Sequence, residues 1–152
     1  MSTTLGDEID VLAKAKRLTG GDYVPSDAEP YMCDAQQDYF RRLLMAWKKS
    51  IFEASADTLQ HLQDGPIREP DLNDRASSET DWGIELRTRD RQRKLIAKID
   101  SALRRIEEGE YGYCEVSGEP IGLGRLSARP IATMTVEAQE AHERREKVSR
   151  DN

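Results

Sequence analysis

Two long segments of the chain place their apolar residues three and four positions apart. The first covers about residues 33–64, and the second covers about residues 77–108. Such spacings put side chains on one face of an α-helix, so each segment predicts a helix with one apolar stripe. The stripes contain Phe40, Leu43, Leu44, Trp47, Ile51, Leu59 and Leu62 in the first segment, and Ile96, Ile99, Leu103 and Ile106 in the second. Two such stripes pair as the seam of an antiparallel helical hairpin.

The segment between these helices, 69–77, contains residues that break or cap helices. Pro66 and Pro70 stand at its entry and disfavour helical geometry there. Asp71 and Asp74 follow, and aspartate is favoured in turns and at helix N-caps. We interpret the segment as the tip of the hairpin. From the residues alone, the two carboxylates either cap a helix or are placed there for a function.

The rest of the chain has shorter and less regular patterns. Gly6–Leu18 predicts a short helix, and Gly109 is well placed to end the second long helix. A last helix is predicted from Val136 to about Lys147, after a loop that contains Arg125 and Arg129. The predicted fold is mostly α, with a long antiparallel coiled-coil hairpin, a small globular head and a C-terminal helix. The predicted boundaries are 1–32 for an N-terminal segment partly in the head, 33–108 for the hairpin with its tip at 69–77, 109–134 for a zinc-finger-like region, and 135–152 for the C-terminal helix and tail.

Composition narrows the class of partner. Of the 152 residues, 37% are hydrophobic and 34% are charged, which suits an exposed helix pair better than a thick core. The net charge of -6 does not favour binding to nucleic acid, which depends on an excess of Lys and Arg. The first ten residues do not resemble a signal peptide, and no apolar run approaches the ~18 residues of a membrane span. We expect a cytoplasmic protein with a protein partner and no membrane association.

The region after the second long helix has the spacing of a zinc knuckle without its ligands. Cys114 is followed by Ser117, where a Cys-x-x-Cys pair would have its second thiol, and a plausible later pair has Thr135 and Ala138. A structural zinc site needs four good ligands, and only Cys114 remains. The ligand count therefore predicts that zinc is absent and that packing alone holds the region. We find no triad of catalytic side chains and expect no enzymatic activity.

Four basic residues of the second long helix follow steps of four, three and four. They are Arg87, Arg91, Lys94 and Lys98. These steps place them on one face of the helix. Two interpretations stand: a solvated face balanced by Asp90 and Glu85, or a site for an anion or a partner, with Leu95 as an apolar contact beside it.

Several segments resemble the DksA/TraR family of bacterial transcription factors. The resemblance covers about residues 30–149 and is specific because the segments occur together. They are Glu29–Met32 with Phe40–Arg42, Asp71–Ala76, Glu85–Ile96, Tyr111–Cys114 and Arg125–Pro130. The resemblance implies a monomer whose hairpin enters the secondary channel of RNA polymerase, without sequence-specific DNA binding.

The resemblance also implies functional residues. The tip positions that would approach the catalytic centre of the polymerase are Asp71, Asp74 and Ala76. The co-effector ppGpp would bind between the chain and the rim of the largest polymerase subunit, at the positions Arg91, Leu95, Lys98 and Arg129. Guanidinium and ammonium groups suit phosphates because they form charge-assisted hydrogen bonds.

Two departures from the family pattern change the expectations. The ligand count makes the chain similar to the cysteine-poor, zinc-independent type of the family. Gln139 stands where well-known members have a basic residue, so one phosphate contact is expected to be weaker.

The implied function is regulation of promoter complexes with ppGpp, inhibiting ribosomal RNA promoters and activating some amino-acid biosynthesis promoters in a stringent response. An alternative is a transcript-cleavage factor that holds Mg²⁺ with its acidic tip in the same channel. A purely structural coiled coil is disfavoured by the head and by the short seam.

Overall fold

A computed structural model describes residues 5–19, 23–64 and 72–151, and this part of the chain contains five helices. They are α1 (Leu5–Thr19), α2 (Asp34–Asp64), α3 (Leu72–Glu108), α4 (Leu123–Ala128) and α5 (Val136–Asp151). Within the same residues, β structure is confined to one isolated antiparallel bridge between Tyr113 and Pro120. The prediction of a mostly α fold, with a helical hairpin and a small head, is confirmed.

The chain forms two compact units. The first, here called the hairpin unit, consists of Met1–Gly21 and Arg42–Ile99, and the second, the head unit, of Asp22–Arg41 and Asp100–Asn152. The domain boundaries predicted from the sequence follow the helices rather than these units, and they stay a prediction.

The hairpin unit has a core built from the predicted stripes. Leu43, Leu44 and Ile99 are completely buried, and Trp47 and Ile51 are nearly so. Burial of each such side chain stabilises the fold by about 1.5–3 kcal/mol, which explains why the apolar spacing predicts the faces on which these helices pack. The short helix predicted near the N-terminus is α1, and its residues Leu12 and Ala15 are buried in this unit.

The second long helix begins earlier than predicted. We expected it to start at about Ser77, whereas α3 starts at Leu72. Asp74 and Ala76 explain the difference, because an acidic residue in the first turn complements the helix dipole and Ala has the highest helix propensity. Residues 72–77 of the predicted tip are therefore helical, and the joining residues 65–71 lie outside the described part of the chain.

Gly109 ends α3 within the head unit. Gly109 has a φ of 77°, and the amide of Glu110 donates to the carbonyl of Arg105 at 2.9 Å. This is the left-handed conformation that favours Gly after a helix, so the predicted C-cap is confirmed.

Tyrosine hydroxyls join distant segments of the head unit. The hydroxyl of Tyr31 donates to the carbonyl of Gly112 at 2.6 Å and accepts from the amide of Gly122 at 2.9 Å. The buried hydroxyl of Tyr111 donates to the carbonyl of Pro130 at 2.7 Å. These three hydrogen bonds hold the loops on either side of the Tyr113 bridge.

Two elements at the end of the chain differ from the prediction. The expected loop around Arg125 contains the helix α4, whose Leu123 and Leu126 are buried. α5 continues to Asp151 rather than to about Lys147. A pair at the i,i+4 spacing, His142 with Glu146 at 3.0 Å, joins adjacent turns of α5.

Candidate functional site

The basic face of α3 is present as predicted from the spacing. Arg87, Arg91, Lys94 and Lys98 are all exposed, whereas Leu95 is half-buried beside them. The four cations belong to one helix of the hairpin unit, so their relative register is fixed by the helix itself. An anion that bound along this face would meet positive charge on successive turns.

Asp90 sets how much of that positive charge is available. Its carboxylate lies 2.6 Å from the Nη2 atom of Arg93 and 3.2 Å from the Nζ atom of Lys94. Hydrogen bonds from Arg93 and then from Lys94 hold the pKa of Asp90 below its usual value. Arg87 is engaged differently, because its Nε atom donates to the carbonyl of Gly83 at 3.3 Å.

Arg129, the fourth expected ppGpp residue, belongs to the head unit. It directly follows α4 and is exposed. Its amide donates to the carbonyl of Arg125 at 2.7 Å, which fixes the backbone from which the side chain extends. Arg125 itself is occupied, because its Nε atom donates to the carbonyl of Met134 at 2.8 Å. The structure therefore groups Arg91, Leu95 and Lys98 on α3 and holds Arg129 in the other unit.

Gln139, which replaces a basic residue expected from the family resemblance, lies on α5. Its Nε2 atom donates to the carboxylate of Glu143 at 3.0 Å. A carboxylate thus stands next to the position where a positive charge was expected, which opposes anion binding there.

The predicted tip residues fall at the edge of the described chain. Asp71 lies outside the described residues. Asp74 and Ala76 belong to the first turns of α3, but their side chains are outside what the structure describes. The tip assignment therefore stays a prediction.

Cys114 lies at the centre of the zinc-finger-like region. It is buried, and its sulfur accepts from the amide of Ser117 at 3.5 Å. Burial alone would raise the pKa of the Cys114 thiol, but hydrogen bonds from Ser117, Thr135 and Val116 outweigh it and lower the pKa to about 6.

The other knuckle positions have structural roles. The hydroxyl of Thr135 accepts from the amide of Ala138 at 3.2 Å, so Thr135 caps the first turn of α5. Over the described residues, no group of three or more His, Cys, Asp or Glu side chains comes together as a metal site would require. One thiol with a Ser, a Thr and an Ala does not fit a four-thiolate zinc site.

Comparison with known protein families gives two matches that together cover most of the chain. Residues 36–106 match the family described as DnaK suppressor protein DksA, N-terminal domain. Residues 109–144 match the family described as prokaryotic dksA/traR C4-type zinc finger.

The chain is also similar to curated proteins named RNA polymerase-binding transcription factor DksA. The protein from Caulobacter vibrioides (strain NA1000 / CB15N) is 64% identical over 131 residues, which are 86% of this chain and 92% of that protein. The protein from Escherichia coli (strain K12) is 42% identical over 125 residues, which are 82% of this chain and 83% of that protein.

A solved structure supports the same fold. Transcription factor DksA2 from Pseudomonas aeruginosa superposes with a TM-score of 0.71 at 41% sequence identity. The match covers 87% of this chain and 98% of that one.

The prediction that the chain binds no zinc must be corrected. The match of residues 109–144 to a C4-type zinc finger family contradicts it, because that family points to zinc binding by this region. The single thiol of the region differs from the four that the name describes. No step of the function below involves a metal.

Sequence reasoning missed two contacts that shape the candidate site. Asp90 was expected to balance the basic face, but its close pairing with Arg93 has no signal beyond the i,i+3 spacing. The pairing of Gln139 with a carboxylate has only the i,i+4 spacing of the two residues as a signal in the sequence.

Two family matches and relatives of 64% and 42% identity establish the family of the chain. The chain belongs to the DksA/TraR family.

Proposed function

We propose that the chain binds RNA polymerase through the secondary channel and, with ppGpp, alters the stability of promoter complexes. Ribosomal RNA promoters would be inhibited and some amino-acid biosynthesis promoters activated, as in a stringent response. The observation that carries the proposal is the 64% identity, over 131 residues, to a protein named RNA polymerase-binding transcription factor DksA.

Asp71, Asp74 and Ala76 are the proposed contacts with the active centre of the polymerase. The length of α3 supports this role, because its 37 residues correspond to about 55 Å of ideal helix. Asp74 and Ala76 lie in the first turns of that helix. A cap alone would not need so long a helix behind it.

The proposed ppGpp site combines Arg91, Leu95, Lys98 and Arg129 with the rim of the largest polymerase subunit. The exposure of the three cations supports the proposal, since a phosphate must reach them from solvent. Each charge-assisted hydrogen bond to a phosphate would contribute about 1.5–3 kcal/mol. Leu95 would supply an apolar contact between the two α3 cations.

Transcription in vitro from a ribosomal promoter, with and without ppGpp, tests the proposal directly. We expect inhibition by the chain and stronger inhibition when ppGpp is added. Asp74→Asn should abolish the inhibition and leave polymerase affinity nearly unchanged. Asp81→Asn, an exposed residue of the same helix, is the matched control and should inhibit normally. Normal inhibition by Asp74→Asn would show that the tip assignment is wrong.

The ppGpp site has its own test. Arg91→Ala and Lys98→Ala should each raise the ppGpp concentration needed for half-maximal effect by about tenfold. Arg104→Ala is the control, because Arg104 is an exposed residue of the same helix and faces another side of α3. If Arg104→Ala reduced the ppGpp effect as strongly, general loss of positive charge would explain the result instead.

An assay of RNA length in backtracked polymerase complexes separates regulation from transcript cleavage. The acidic tip residues would suit a cleavage factor, which would shorten RNA in backtracked polymerase complexes. We propose that no shortening occurs and that the chain is not an enzyme, in line with relatives that are named transcription factors.

The remaining parts of the proposal concern location and assembly. None of the helices in the described ranges combines the length and the apolar character needed to cross a membrane. Bacterial RNA polymerase works in the cytoplasm, so we assign the chain to that compartment. We also propose that it acts as a monomer without sequence-specific contacts to DNA, and that the segments 33–108 and 109–134 act as its hairpin and head.

A further inference from the structure

The outer face of α2 carries two large apolar side chains that are mostly exposed rather than buried in the core. Met45 is 57% exposed and Phe52 is 52% exposed. They are seven residues apart, which places them on the same side of the helix about two turns from each other. The residues that form the core, such as Leu44 and Ile51, face the other side and are buried.

Two lysines lie on the same side of α2, between the apolar residues. Lys48 extends along the helix, with its Nζ atom 5.8 Å from the centre of the Phe52 ring. Lys49 is exposed one residue further on. We call the set Met45, Lys48, Lys49 and Phe52 the outer strip of α2.

The outer strip is positive in a chain of net charge -6. Arg42 is exposed just before the strip and Glu53 just after it, so the local charge stays positive when both neighbours are included. Such local segregation of charge is typical of a surface that recognises a partner of opposite sign.

We propose that the outer strip of α2 is a docking surface for an acidic segment of RNA polymerase that carries apolar side chains. The proposal rests on polymerase binding as proposed above and adds a contact surface distinct from the tip and from the basic face of α3. Met45 and Phe52 would bury their exposed area against apolar side chains, while Lys48 and Lys49 would pair with carboxylates at the edge.

Two other occupants fit the strip less well. A second copy of the chain, joined by two-fold symmetry through this surface, would bring the same lysines against each other and would be repelled. Nucleic acid would meet two cations in the strip but a chain that is acidic overall. A protein segment with carboxylates and apolar groups complements both features.

An equilibrium binding measurement with RNA polymerase tests the proposal. The double variant Met45→Ser/Phe52→Ser should bind about tenfold more weakly than the unchanged chain, because two exposed anchors are lost. Val24→Ser, which changes a 73% exposed residue of the head unit, is the control and should bind normally. Lys48→Gln/Lys49→Gln should reduce the dependence of affinity on salt concentration.

The outcomes distinguish the two proposals. If the unchanged chain does not bind polymerase, the proposed function fails. If it binds and Met45→Ser/Phe52→Ser binds equally well, only the outer strip is refuted. Circular dichroism should show the same helix content for the variant, since both side chains are exposed.

Photochemical cross-linking identifies the occupant. A benzophenone amino acid at position 45 or 52 should form an adduct with a polymerase segment rich in Asp and Glu. An adduct with nucleic acid, an adduct with a second copy of the chain, or a polymerase adduct that maps to a basic segment would each overturn the proposal.

Discussion

Removal of the Tyr111 hydroxyl should destabilise the protein by a predictable amount. In Tyr111→Phe, the carbonyl oxygen of Pro130 loses the donor that lies 2.7 Å away. Tyr111 is buried and Pro130 is completely buried, so water does not replace the lost hydrogen bond easily. An unsatisfied buried acceptor costs about 1–3 kcal/mol in the free energy of unfolding. For a chain of this length, that cost lowers Tm by about 2–12 °C.

Urea and thermal unfolding, followed by far-UV circular dichroism at neutral pH, measure this loss. Neutral pH is suitable because burial raises the pKa of Tyr111 above its ordinary value of 10.0. A raised pKa means that the protonated phenol is favoured in the folded state. The contribution of the protonated Tyr111 phenol to stability is therefore complete below pH 10, and it is lost only as the pH rises through the pKa that Tyr111 has in the folded protein.

Tyr113→Phe is the matched control for this prediction. Tyr113 lies in the same unit and packs edge-to-face against Tyr31 with a 5.6 Å distance between ring centres. In the part of the chain that the structure describes, its hydroxyl has no hydrogen-bond partner, so the variant should change stability by less than about 0.5 kcal/mol. Equal stabilities of the Tyr111 and Tyr113 variants would refute the role assigned to the buried hydroxyl.

Three further predictions follow from the contacts described above. Gly112→Ala should lower the free energy of unfolding by about 1–3 kcal/mol, because the φ of Gly112 is 92° and the new methyl group would lie 2.8 Å from the Cγ atom of Met32. Urea unfolding measures the loss, and an unchanged midpoint of the urea transition would show that this crowding does not occur. Asp90→Asn should leave stability almost unchanged, because its ion pairs are exposed. The same variant should lower the half-maximal ppGpp concentration about two- to threefold, because it removes a negative charge beside the face that carries Arg91, Lys94 and Lys98. An identical ppGpp titration would show that the carboxylate does not compete. Tyr23 should titrate with a pKa of about 12 when its ultraviolet absorbance is followed, because burial and a neighbouring carboxylate oppose its ionisation. Any stability that its protonated phenol adds is therefore complete below pH 10 and is lost as the pH rises towards 12. A titration near pH 10 would contradict this.

The long helices were predictable because their cause is periodic. The stripe residues that are buried, such as Leu43, Ile51 and Ile99, are buried for the same reason, so their spacing directly reports the helix faces. α4 has only six residues and depends on the burial of Leu123 and Leu126 against the rest of the head unit. No periodic signal exists in so short a segment, and tertiary packing decides its structure.

The hydrogen bonds of the head unit could not be predicted for a different reason. Tyr31 and Gly112 are 81 positions apart, so no local pattern connects them. At the basic face, spacing predicted that Arg91 and Lys98 share a side of α3, since geometry along one helix follows from the sequence. It did not predict which cation Asp90 would hold, because that depends on side-chain rotamers.

The tip and the outer strip of α2 should affect different parts of one titration curve. Loss of Met45 and Phe52 weakens binding alone, so the inhibition curve of a ribosomal promoter should move to higher concentration and reach the same plateau. If Asp74 contacts the active centre as proposed, Asp74→Asn would remove a contact that acts after binding, so it should lower the plateau and leave the midpoint in place. Exchange of these two patterns would mean that the tip supplies affinity and that the strip supplies regulation. A single concentration series for each variant therefore assigns both surfaces independently of the family resemblance.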